Sequence, residues 1–372
     1  MMRAIRNGTL AGLLGLVLCG FPSCHFPTHD NVFTTEHLLT ADAADLPSTV
    51  VTPHLAEPIQ AGRNVLWCGT FQLVWNEVCS LIGEDIRLTD EPAMVAELNR
   101  KQFTRADLDD ASYVALAGFV LNDIFRRIKL ALADKFHGRA TPRFLPSPDL
   151  TPRPQDIVAY AYLFKHLEFP RPFERLPDKM SFQGQDVPVF GLGEFKEAHR
   201  KLYGQVTILD YESGDDFVIE LKTRSPGDRL ILAKVAPGAT LEATVADVQA
   251  RTAGAEPTSM LDGDVLSVPK LNFDLTREYR ELYGRFLLAS NPAVAKDLMV
   301  LSALQNIRFQ MDEKGVRLKS EASMSFGCDV VAPPQPVHVL VFDKPFLILM
   351  QRAGTHAPYF ALWVGNAELL VK

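Results

Sequence analysis

Cysteine is scarce in this chain: 5 in 372 residues, at positions 19, 24, 68, 79 and 328. A disulfide framework is not implied, because Cys68 and Cys79 fall on one predicted helix about three turns apart, roughly 16 Å, beyond the reach of an S–S bond. Both read as small buried residues. Positive charge is in deficit, with 38 Lys and Arg against 45 Asp and Glu and a formal net charge of −7. Without a basic stripe there is nothing to neutralise phosphates, which argues against a nucleic acid partner. No internal repeat occurs. The apolar run at residues 10–18 is too short to span a bilayer as an ordinary helix.

Catalytic signatures are missing too. Gly191-Leu192-Gly193 is followed by no lysine–serine pair and completes no dinucleotide fingerprint, so it reads as a turn. The nine histidines are scattered without metal-ligand spacing, and His54, His137 and His166 read as surface or satisfied core residues. Neither a nucleophile elbow nor a Ser-His-Asp or Cys-His order is present. Asp215-Asp216 is an adjacent carboxylate pair, but it lies in a predicted hairpin turn where such groups face water. The expectation is a protein that is not an enzyme and uses no cofactor or metal.

What is present begins with Arg3 and Arg6, the apolar run, and small residues near Gly20 to Cys24, the layout of a secretory signal peptide over residues 1–24. Cys24 after Ser23 fits a lipid-modified first residue, although Phe21-Pro22 departs from the usual pattern, so membrane attachment through Cys24 stays open. The protein is expected to be exported, to the extracellular space or a bacterial envelope. Residues 25–61 lack periodicity and read as a tether or loosely packed arm. The domain proper is expected over residues 62–372.

Within it, Phe71, Val74, Trp75 and Val78 recur at helical spacing. Residues 81–133 read as mostly helical, with a start at Asp90-Glu91-Pro92. Residues 138–154 form a proline-rich crossing loop. Residues 157–165 form a continuous apolar run, expected of a strand buried on both faces. Residues 206–211 and 217–221 flank a turn as a hairpin, residues 230–235 are a further strand, and residues 240–251 a short helix. Residues 265–275 read as one strand and residues 279–288 as a helix. This mixture suits α+β, not a doubly wound sheet.

The most informative stretch lies near the C-terminus. Ile307-Arg308-Phe309-Gln310-Met311-Asp312 alternates apolar and polar residues, Glu313-Lys314-Gly315 breaks the run, and alternation resumes from Val316 to Phe326. Cys328-Asp329-Val330-Val331-Ala332-Pro333-Pro334-Gln335-Pro336 cannot sit in a central strand, because proline has no N–H and a fixed φ, so it reads as an exposed loop.

Here the chain resembles the serpins, protease inhibitors that carry a mobile reactive loop. The residues are Met311-Asp312-Glu313-Lys314-Gly315, similar to the end of central strand 5A and the hinge; Phe342-Asp343-Lys344-Pro345-Phe346; and Pro358-Tyr359-Phe360 with Val364 and Asn366. Residues 64–78 are similar to the opening strand and buried helix of the fold, residues 265–275 to strand 6A, and Phe169-Pro170-Arg171-Pro172-Phe173-Glu174 to the segment after strand 3A. Two residues depart from the family: Tyr160 stands at the shutter asparagine and Phe169 at the breach tryptophan. The resemblance implies a serpin-like α+β fold, helices around three mostly antiparallel sheets, with a reactive-loop-like segment near the C-terminus.

It also implies a function. A target protease attacks the loop as substrate and forms an acyl-enzyme, and the cut loop inserts as an extra strand before water releases the protease. The hinge would comprise Glu313, Gly315, Val316, Leu318, Ser320 and Ala322, with Met324 and Phe326 following on the same face, none of them charged after Glu313. Burying the four larger side chains is worth roughly 6–12 kcal/mol as an upper bound. By the family's loop length the scissile bond is Asp329–Val330, which selects an acid-preferring protease. Three readings remain open, the first two of them serpin-like. One is a suicide-substrate inhibitor of an extracytoplasmic serine or cysteine protease. The other is a non-inhibitory serpin-fold binding or structural protein, because Leu318 and Lys319 replace the small residues usual after the hinge and because the turn at Asp312–Gly315 would also close a permanent hairpin. An envelope lipoprotein with an unrelated partner is a third.

Overall fold

The computed structural model describes residues 33–140, 142, 153–193, 199–290, 298–317 and 338–372. Strands and helices are numbered in chain order. The most apolar segments, β20 (Phe346–Arg352) and β21 (Pro358–Val364), are buried almost throughout and pair antiparallel at the middle of an eight-stranded sheet. On the β20 side follow β13 (Asp228–Lys234), β12 (Asp216–Leu221), β11 (Val206–Ser213) and β14 (Thr258–Ser259). On the other side lie β3 (Asn64–Cys68) and then β2 (Thr49–Thr52), which runs parallel to β3. Continuous apolar runs of this kind need cover on both faces.

One of those covers is a five-stranded sheet: β1 (Leu39–Asp42), β16 (Leu271–Glu278), β17 (Leu304–Asp312), β18 (Gly315–Arg317) and β6 (His166–Glu168), in that order. Ile307, Phe309 and Met311 are buried, as the period of two predicts. Phe309 stacks on Phe360 of β21 with ring centroids 4.5 Å apart, joining the two sheets into one core. A ribbon of β4 (Tyr113–Phe119) and β5 (Ile157–Leu163) continues from β6, since only residues 164 and 165 separate β5 from it. A four-stranded sheet holds β19 (Val339–Val341), β15 (Val265–Pro269), β10 (Val189–Leu192) and β7 (Glu174–Arg175), and β8 (Met180–Phe182) pairs with β9 (Gln185–Val187).

The helices are α1 (Thr70–Ile82), α2 (Ala93–Asn99), α3 (Ile124–Lys135), α4 (Arg200–Tyr203) and α5 (Leu241–Thr252). α1 buries Phe71, Trp75, Cys79 and Ile82 against Val95, Leu98, Tyr279 and Leu282, and ends where Gly83 takes the left-handed conformation. α2 starts directly after Pro92. Among the described residues no helix is long and apolar enough to cross a membrane.

Several expectations need correction. The stretch expected as a loose arm contributes β1 and β2, paired in two different sheets, so its described part belongs to the folded body. Cys68 ends a strand rather than sharing a helix with Cys79; both are unpaired thiols, buried as expected. Residues 113–119 are strand, because short apolar runs satisfy either period and β5 supplies a partner for each residue. Only Arg280–Leu282 of the expected helix at 279–288 is helical, as 3-10; Gly284 then turns at φ 71° and Phe286 bridges to Met299. Gly191 is not in a turn but in β10, at φ 153°, where a β-carbon would sit 1.9 Å from the Leu266 carbonyl oxygen. β5 is half-buried along its whole length rather than enclosed on both faces.

Candidate functional site

The turn between β17 and β18 consists of Glu313 and Lys314. Asp312 starts it by accepting the Lys314 N–H on its carboxylate at 2.9 Å. Gly315 follows at φ 151°, where a β-carbon would lie 2.4 Å from the Leu167 carbonyl oxygen of β6. Only glycine allows the two strands to approach this closely. Val316 is fully buried, paired with Met311 on one side and Leu167 on the other. The backbone of Arg317 pairs with Gln310 and His166. The three residues after the turn therefore form the middle strand of a triplet.

Glu313 is the buried charge at this turn, 5% exposed. Its carboxylate accepts from Lys270 at 2.7 Å and from Arg175 at 2.5 Å. Burial alone would raise its pKa, but the Lys270 and Arg175 contacts outweigh burial and hold the carboxyl below its ordinary value. Lys270 can reach it because the expected single strand at 265–275 breaks there: β15 lies in the four-stranded sheet, β16 in the five-stranded one, and Lys270 is the corner between them. The backbone carbonyls of Glu313 and Lys314 accept from Phe173 at 2.7 Å and Phe169 at 2.9 Å. Phe169 is buried and meets Phe173 edge-on at 4.9 Å.

Among the described residues the sheet parts beyond β18. Among the described residues β5 pairs only with β4, and Leu304–Phe309 of β17 pair only with β16. A cavity of about 1080 Å³ lies between them, floored by Phe71, Trp75, Met350, Tyr359 and Phe360. Tyr160 faces it, and burial pushes its phenol up to about 12. At the junction of β5 and β6, Lys165 is buried, bonds Asp109 and Asp228, and lies 5.2 Å above the Tyr359 ring.

The chain re-enters description at His338, in a different sheet. Its N–H and ring nitrogen engage the Asp264 carboxylate at 2.8 and 2.7 Å, and β19 then runs parallel to β15. Residue 317 is thus fixed in the five-stranded sheet and residue 338 against the four-stranded one.

Of the expected site residues, Glu313, Gly315 and Val316 meet at this turn. Leu318, Ser320, Ala322, Asp329 and Val330 lie outside the described residues, as do Cys24 and Cys328. The contacts of Lys270, Arg175 and Lys165 were not foreseen; an isolated lysine in an apolar run, such as Lys165 after Phe164, was the available signal. Asp215 and Asp216 do not simply face water: Asp215 pairs with Lys234 and Lys344, and Asp216 with Arg251. The Lys344 and Lys234 contacts draw Asp215 down to about 2. Among the described residues no cluster of three or more His, Cys, Asp or Glu could hold a metal.

No protein-family model matches the chain, and no curated protein does. Among solved structures it is similar to Serpin48 of the insect Tenebrio molitor, at 14% identity over 83% of this chain and 92% of that one, with a TM-score of 0.46. It is also similar to human thyroxine-binding globulin complexed with thyroxine, at 14% identity over 82% and 92%, with a TM-score of 0.44. The chain's own strands define an α+β protein whose five-stranded sheet, among the described residues, is parted beside a glutamate-anchored turn.

Proposed function

We propose that the protein is serpin-like and works through the segment that follows Gly315. The observation that carries this reading is the seating of β18 between β17 and β6, directly above a seam bordered by β5 and the rest of β17. Extending the β18 register downward sets successive residues against Phe309 to Leu304 on one side and Lys165 to Ile157 on the other. Val316 already faces the core, so in that register Leu318, Ser320, Ala322, Met324 and Phe326 would share its face. Such a seam can accept its own following segment as a strand, and backbone groups at both edges gain partners when it does.

In this reading the protein is a suicide-substrate inhibitor of an extracytoplasmic serine or cysteine protease, attacked at Asp329–Val330, and it performs no chemistry of its own. It is exported behind a leader within residues 1–24, and where cleavage falls just before Cys24 a lipid on that residue holds it at a membrane. A non-inhibitory serpin-like protein is the second reading. It is favoured by Leu318 and Lys319, whose bulk and charge slow the start of insertion, and by a hinge whose first residues are already paired.

Incubation with acid-preferring extracytoplasmic proteases separates the two. An SDS-resistant complex whose mass equals the protease plus the N-terminal fragment ending at Asp329 is the expected product. Quantitative cleavage without a complex removes inhibition and leaves the second reading.

A further inference from the structure

The N-terminal segment approaches the seam from the solvent side. The Arg308 guanidinium carbon lies 4.5 Å from the centre of the Phe33 ring. The Thr34 N–H donates to Gln310 Oε1 at 3.2 Å, and the Thr34 hydroxyl accepts from Gln310 Nε2 at 3.0 Å. The Thr34 carbonyl accepts from Arg308 Nη2 at 2.9 Å, and the Glu36 carbonyl from Asn272 Nδ2 at 2.7 Å. His37, at φ 53°, then turns the chain, and β1 pairs with the free edge of β16.

These partners alternate with the core-facing Phe273, Phe309 and Met311, so they stand on the outer face of the sheet. Gln310 and Asn272 are nonetheless only 4% exposed. Within the outer face Arg308 Nη1 donates to Asn272 Oδ1 at 2.7 Å, tying β17 to β16 beneath the crossing segment. Gln310 is also the residue whose backbone pairs with Arg317. The crossing therefore sits on β17, the strand that borders the seam.

We propose that residues 33–36 are a strap that binds β16 and β17 into one unit with β1, so that the seam opens between β17 and β5 and not between β16 and β17. A strand at the edge of a parted sheet would otherwise be free to shift alone, and losing the strap contacts to Gln310 and Asn272 would deprive two nearly buried side chains of hydrogen bonds. The strap requires nothing of the segment after Arg317, and it stands whether or not the protein inhibits a protease.

Amide hydrogen exchange on the full-length chain tests this. In Thr34→Pro, which lacks the N–H and the hydroxyl, exchange in the peptides spanning β16 and β17 should quicken by about tenfold or more. Phe33→Ala should move the same peptides less, and Thr34→Ser should leave them unchanged. Peptides from β13 and β20 should keep their rates in all three. Unaltered exchange of β16 and β17 in Thr34→Pro, or an equal acceleration in β13 and β20, overturns the proposal.

Discussion

Glu313 is a carboxylate that costs free energy to bury and is kept ionised by two neighbours of unequal weight. Arg175 is 65% exposed at its side chain, so its contact is screened by water, whereas Lys270 is 16% exposed and contributes most of the attraction. Glu313→Gln leaves Lys270 facing a neutral amide and should lower unfolding free energy by about 2–3 kcal/mol at neutral pH. Since the folded pKa is depressed, the contribution is fully present above the unfolded value of about 4.3 and is lost as pH falls through the folded value. Urea unfolding of the two proteins should therefore differ at neutral pH and converge as pH falls below the folded value. A constant difference across that range would remove the ion pair as the cause.

At the scale of elements, β18 depends on Gly315. Gly315→Ala puts a methyl group against the Leu167 carbonyl, and the strand must withdraw from β6 or strain its backbone, at about 1–3 kcal/mol. The expected outcome is a lower midpoint together with faster amide exchange confined to β6 and β18. Most strands were legible in the sequence because one face of each is buried and the period of two survives, as in β17, or because the run is wholly apolar, as in β20. β4 was not legible, since Val114 and Ala117 suit a helix until a partner strand is known. The break at Lys270 was hidden as well: β15 and β16 read as one run, and only the geometry of two sheets meeting at a corner divides them. At the candidate site, the turn and the inward parity of Val316 could be read from alternation, whereas the cations around Glu313 come from 43 and 138 residues away and leave no local pattern.

Taken as a whole, the described residues set a tightly built eight-stranded sheet, with β20 and β21 at its centre, behind a five-stranded sheet that among them is parted on one side of β17. Stability should be uneven, highest in the buried central strands and lowest along the seam. The residues from Leu39 onward that read as a tether instead close the free edges of both sheets, through β1 and β2. They lacked helical or strand periodicity because each contributes only four residues of strand between turns.

The central claim is that the seam beside β17 receives the segment following Gly315. Its most direct test is the thermal midpoint before and after a single cut within residues 327–337. Insertion of the cut segment buries Leu318, Met324 and Phe326 beneath the sheet and should raise the midpoint by about 10 °C or more. A midpoint that stays the same or falls would contradict it.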